Sequence, residues 1–69
     1  MKLSARNLLK CKVKKITPGA VNSEIILELS DGSEVVSIIT KSSAERLGLA
    51  VGKDAYAMIK ASNVMIGTD

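Results

Sequence analysis

The stretch VNSEIILELSDGSEVVSIIT, Val21 to Thr40, decides the fold. Ser23, Ile25, Leu27 and Leu29 alternate with Asn22, Glu24, Ile26 and Glu28, the period of a strand with one face buried. A second run, Glu34 to Thr40, is rich in β-branched residues, which suit a pleated surface. Asp31-Gly32 lies between the two. An Asp-Gly pair in that position signals a hairpin closed by a two-residue type I′ turn, whose central positions both take positive φ. Ile26 interrupts the alternation, and an apolar residue on the polar side implies that this side is covered by another subunit.

Working outward, Leu9, Cys11 and Val13 alternate with Lys10, Lys12 and Lys14, so a half-buried strand precedes the hairpin. Thr17-Pro18-Gly19 is the intervening turn, with Pro18 fixing its own φ. Beyond the hairpin, Ser42-Ser43-Ala44-Glu45 reads as a capping box with Ser42 as N-cap and Glu45 at N3, and Gly48 closes a helix of little more than one turn. A turn at Val51-Gly52-Lys53-Asp54 leads to a fourth strand, Ala55 to Lys60, and Val64-Met65-Ile66 reads as a short fifth. The expected fold is therefore all-β: a five-stranded OB-like barrel with one short helix between strands three and four, a single domain over residues 1–69.

A chain of 69 residues with 46% hydrophobic content builds one small core and needs support from disulfides, a structural metal or self-association. The single cysteine, Cys11, cannot form an internal disulfide, and with no histidine there is no zinc site of the usual kind, which leaves self-association. No apolar run approaches the ~18 residues of a membrane span. Arg6 arrives before any apolar signal region could form, so the expected location is the cytoplasm, in keeping with a lone thiol. A net charge of +3 suits an anionic partner. Catalysis has little material: no histidine, no glycine-rich phosphate loop and no nucleophile beside a base, with Cys11 on the inward face of its strand. The chain is read as a binding protein, with no catalytic cofactor, and not as an enzyme.

Two segments offer donors without acceptor charge. Ser4-Ala5-Arg6-Asn7 and Ile59-Lys60-Ala61-Ser62-Asn63-Val64-Met65 bring hydroxyls, two fixed cations and exposed amides, the inventory that an oxyanion needs. Each cation also has a plainer reading: a solvated arginine at a strand start, and a lysine reaching to water at a strand end. These two segments, with Val36-Ser37-Ile38-Ile39-Thr40 between them, resemble the molbindins, the small bacterial molybdate-binding proteins also called molybdenum-pterin-binding proteins. The likeness runs from about Met1 to Ile66.

That resemblance implies a site for molybdate, or tungstate, made by Ser4, Ala5 and Arg6 with Lys60, Ala61 and Ser62. Many relatives carry a hydroxyl directly after the lysine, where this chain has Ala61, so the contact there falls to the amide or to Ser62. Thr40 and Ser43, beside the short helix, are carried over as further contacts, leaving Ser42 to the cap. Gly19, Ala20, Val21 and Asn22 resemble a second anion-binding segment resting on backbone amides. The family implication extends to a homohexamer, a trimer of dimers with anions held between subunits, serving molybdate storage or homeostasis.

Two other functions stand beside this one. The lysine stripe Lys10, Lys12, Lys14 and Lys15 on an OB-like barrel suggests a nucleic-acid-binding module, and the family's older name suggests a pterin-cofactor carrier. Both need aromatic platforms, since base stacking contributes about 1–3 kcal/mol per base. Tyr56 is the one aromatic residue. The expected partners are a small oxyanion and further copies of the chain, with no nucleic acid and no membrane.

Overall fold

A computed structural model describes all residues, Met1–Asp69. Strand β1 spans Asn7–Pro18, β2 Asn22–Glu28 and β3 Glu34–Thr40; helix α1, Lys41–Arg46, leads to β4, Asp54–Ile59, and a 3-10 turn at Ala61–Asn63 follows. The strands form one antiparallel sheet in the order β3-β2-β1-β4.

Strand β1 is the spine of this sheet. Its first half, Asn7 to Lys12, pairs with β4, and its second half, Lys12 to Pro18, pairs with β2. The change of partner is accompanied by a bulge between Val13 and Lys15, which places Lys14 and Lys15 both outside and returns Ile16 to the inner side. A bulge adds a residue and sharpens the local twist, so one long strand curls around the core. The cue is present in the sequence as Val13-Lys14-Lys15-Ile16, where the alternation slips by one.

The core is small. Six of 69 residues are buried, with Cys11, Val13, Ile25, Leu27 and Ala57 at its centre, and Leu9, Ile16, Val35, Ile39 and Leu49 around them. The inward and outward faces of β1 and β2 fall as the alternation indicates, including the buried thiol of Cys11. Ile26 is half-buried on the outer face.

Three expectations are corrected. The sheet has four strands, not five: Val64-Met65-Ile66 pairs with nothing and Met65 and Ile66 stand almost fully exposed. A strand needs a neighbour's backbone, and after the 3-10 turn these residues have none in their own chain. The hairpin exists, but only Gly32 has positive φ (89°), so its turn is not type I′. Gly32 N donates to the Leu29 carbonyl and Leu29 N to the Ser33 carbonyl, the pattern of a longer loop ending in a left-handed glycine. Finally, Thr40 and not Ser42 is the N-cap: Thr40 Oγ1 accepts from Ser43 N at 3.1 Å. The position of the helix between β3 and β4 is as expected, and Gly48 (φ 65°) follows its C-cap Leu47.

Candidate functional site

The register of β1 against β4 brings the two donor segments together. Asn7 is paired with Ile59, and the Asn7 side-chain Nδ2 donates to the Ile59 carbonyl at 3.1 Å. Arg6 and Lys60 therefore leave the sheet as neighbours at one end of the ladder. Their flanking residues Ser4, Ala61 and Ser62 are exposed and Ala5 is half-buried.

The donors at this end are uncommitted. The backbone N–H groups of Ala5, Arg6, Ala61 and Ser62 donate to no protein acceptor, and neither Arg6 nor Lys60 has a carboxylate within 4.0 Å. A guanidinium fork, an ammonium, free amides and the hydroxyls of Ser4 and Ser62 thus belong to the two segments that leave the ladder side by side, and no carboxylate pairs with either cation. Such a set favours an anion held by charge-assisted hydrogen bonds.

The remaining residues assemble elsewhere. Thr40 pairs with Asn22, and Lys41 N donates to the Val21 carbonyl at 2.8 Å, so Thr40 and Ser43 stand beside Gly19–Asn22. Both groups lie at the Pro18 end of β1, while Arg6 and Lys60 flank its Asn7 end. Within one chain the residues assigned to a single site thus form two clusters, one at each end of a twelve-residue strand.

The second cluster is more fully occupied internally. Thr40 Oγ1 lies 2.7 Å from Ser43 Oγ and also accepts from Ser43 N, so its hydroxyl works mainly as a cap. Gly19 N donates to the Asn22 carbonyl at 2.8 Å, which removes it from the free amides, and a Cβ at Gly19 would stand 2.7 Å from that carbonyl oxygen. Ala20 and Val21 keep free, exposed amides.

The lysine stripe is partly neutralised. Lys12 pairs with Asp54 at 2.9 Å, and Lys14 reaches both Glu28 and Glu34. These pairs hold the Asp54 carboxyl below the usual range, through its hydrogen bond from Lys12, and raise the Lys14 ammonium above its usual value, through its hydrogen bond to Glu34 first and that to Glu28 second. A phosphate backbone would have to compete with these carboxylates. Tyr56, on the outer face of β4 opposite Lys10, is a single ring and no platform. No helix is long and apolar enough to cross a membrane.

Known proteins resemble this chain along nearly its whole length. The TOBE domain model matches residues 3–66. The chain is 48% identical over 66 residues to the molybdenum-pterin-binding protein MopA of Rhodobacter capsulatus, covering 96% of this chain and 25% of that protein. It is 44% identical to the probable molybdenum-pterin-binding protein of Haemophilus influenzae over 100% of both. The chain thus spans about a quarter of MopA and the whole of the Haemophilus protein. Among solved structures, the cytoplasmic molybdate-binding protein ModG, with molybdate bound, superimposes with a TM-score of 0.96 at 49% identity, over 100% of this chain and 49% of that one. A molybdate-binding protein from Sporomusa ovata gives 0.92 at 35% identity, over 99% and 100%.

Proposed function

The chain belongs to the TOBE domain family, alongside the molybdenum-pterin-binding proteins, and from that membership we propose that it binds molybdate as the intact tetrahedral oxyanion. The observation that supports this reading is the β1–β4 register that makes Arg6 and Lys60 neighbours at one end of the ladder, with the free amides of Ala5, Arg6, Ala61 and Ser62 and the hydroxyls of Ser4 and Ser62 in the same two segments. A tetrahedral dianion accepts from all of them and requires no general acid, base or nucleophile. The role is that of a binding protein for molybdate storage or homeostasis in the cytoplasm, the compartment given for ModG. Tungstate, of the same shape and charge, is accepted by the same donors.

Thr40 and Ser43, with Ala20, Val21 and Asn22, supply contacts from a neighbouring copy. The support is their place at the opposite end of β1, from which they cannot close on the anion beside their own Arg6. Anions are then held between subunits of a homohexamer, and binding and assembly reinforce each other by mass action. Gly19 contributes turn shape and no donor.

Isothermal titration with molybdate, tungstate, sulfate and phosphate, paired with sedimentation at saturating molybdate, tests the reading. Molybdate and tungstate are expected to bind far more tightly than the other two and to hold the chain in an assembly. Sulfate binding as tight as molybdate binding removes the specificity, and a monomer at saturation removes the shared site.

A further inference from the structure

The sheet ends in two edge strands, β3 and β4, each with one row of backbone N–H and C=O groups unpaired. Their sequences differ in how readily they would pair with a copy of themselves. In β4 the run Ala55-Tyr56-Ala57-Met58-Ile59 holds two alanines and one β-branched residue. In β3 the run Val35-Val36-Ser37-Ile38-Ile39-Thr40 holds five β-branched residues in six, with no charge, proline or glycine. Such side chains favour the extended, pleated chain.

The usual protections of an edge are missing along this run. A proline, a bulge or a lysine within the strand blunts an edge, yet the register of β3 on β2 runs from Glu34 to Thr40 without a shift and without any of them. Val36 and Ile38 are each 59% exposed on the outer face, while Val35 and Ile39 pack against the core on the inner face. Both faces are therefore apolar, which is what dry packing of one sheet on another requires. Charge appears only at the ends, as Glu34 and Lys41, and flanking charges are the residues that restrain such a run.

Those two charges also select an arrangement. Stacked parallel and in register, Glu34 would lie on Glu34 and Lys41 on Lys41, and like charges directly opposite are destabilising. Stacked antiparallel about the centre of the run, Glu34 lies opposite Lys41, Val35 opposite Thr40, Val36 opposite Ile39 and Ser37 opposite Ile38. Residues opposite one another share a face, so this register gives the two faces of the new sheet the same side chains.

We propose that Val35 to Thr40 is a cross-β segment: once β3 is released from the folded chain, this run pairs antiparallel with the same run of other copies and grows into fibres. The contact is a route of misassembly that competes with folding and with the native assembly. It goes beyond the function proposed above and draws on the sheet alone, so no bound anion is needed to test it.

The test uses the full chain without anion, in urea at its unfolding midpoint, followed by thioflavin fluorescence, fibre diffraction and hydrogen exchange of the product. Wild type is expected to give fibres with the cross-β repeat of about 4.7 Å and amide protection centred on residues 35–40. Ile38→Lys is expected to abolish them, and Met58→Lys, the same charge on the exposed face of the other edge strand, to retain them. Any native-state destabilisation by Ile38→Lys would enlarge the opened population and favour fibres, so their loss reports the segment itself. Glu34→Lys is expected to slow growth by setting lysine against lysine, and adding Lys41→Glu to restore it. Wild type that stays soluble, fibres from Ile38→Lys equal to those of wild type, or protection centred on another strand overturns the proposal. Failure of the charge swap to restore growth overturns its antiparallel register.

Discussion

Asn7 and Ile59 are ladder partners joined a second time by the Asn7 side chain, whose Nδ2 donates to the Ile59 carbonyl at 3.1 Å across a separation of 52 residues. The residues next to them on the outer side of the ladder are Arg6 and Lys60, so one cross-strand clamp aligns both cations.

Removing either cation is expected to weaken molybdate binding by about 10- to 100-fold, since a charge-assisted hydrogen bond contributes about 1.5–3 kcal/mol. Arg6 and Lys60 are exposed and have no carboxylate partner, so Arg6→Ala and Lys60→Ala should leave unliganded stability within about 0.5 kcal/mol of wild type. Calorimetric titration and urea unfolding of each variant read the two effects separately. Wild-type affinity in both variants would place the anion elsewhere.

The clamp predicts a different signature. Asn7→Ala loses one net hydrogen bond, about 1 kcal/mol of stability, and frees the ladder end. Affinity for molybdate should fall although no charge is lost. If urea unfolding shows the destabilisation while titration shows unchanged affinity, the clamp matters to the sheet alone.

At the helix start, Thr40→Ala should cost about 1 kcal/mol through loss of the N-cap, whereas Ser42→Ala should cost only a few tenths. Thermal or urea unfolding of the two variants reads the difference. The reverse order would return the cap to Ser42.

The ion pairs give stability a defined pH response. The Lys12 hydrogen bond depresses the folded Asp54 carboxyl below 3.8, so the stabilisation is fully present above that value and is lost as pH falls through the lower folded value. Lys14 is raised above 10.5, first by its hydrogen bond to Glu34, so its contribution is complete below 10.5 and is lost as pH rises through the higher folded value. Both pairs are solvent-exposed and their effects are small. Melting temperatures between pH 2 and 5 should fall less steeply for Asp54→Asn than for wild type, and equal slopes would mean that the pair adds nothing.

What could be read from the sequence was whatever depends on a residue's own neighbours. The alternation of Leu9, Cys11 and Val13 identified a strand because a buried face forces a period of two, and Asp31-Gly32 identified a hairpin because few residues tolerate a tight reversal. The turn type escaped because Gly32 alone supplies the positive φ. Ser42 reads as the N-cap because the Ser42–Glu45 spacing fits a capping box, yet the chain enters the helix two residues earlier, with Thr40 as its cap. Val64-Met65-Ile66 has the composition of a strand, but pairing belongs to the neighbour and not to the segment. Nothing local to Arg6 or Lys60 announces that they meet. Their grouping came from a family resemblance, and the ladder supplies its geometry within one chain.

The divided pairing of β1 also orders the folding of the molecule in time. Pro18 meets Ser23, and Glu28 meets Glu34, across short connections, whereas Asn7 must wait for Ile59. Contacts between distant positions carry the larger closure entropy and form late. The meander of β1, β2 and β3 is therefore the early structure, and docking of β4 against the first half of β1 is the closing event. Substitutions in β4, such as Ala57→Gly, should accelerate unfolding with little effect on the refolding rate, while Ile25→Val in β2 should slow refolding, a contrast that stopped-flow chevrons resolve. A chain emerging from the ribosome would hold its meander before the end that carries Arg6 and Lys60 exists.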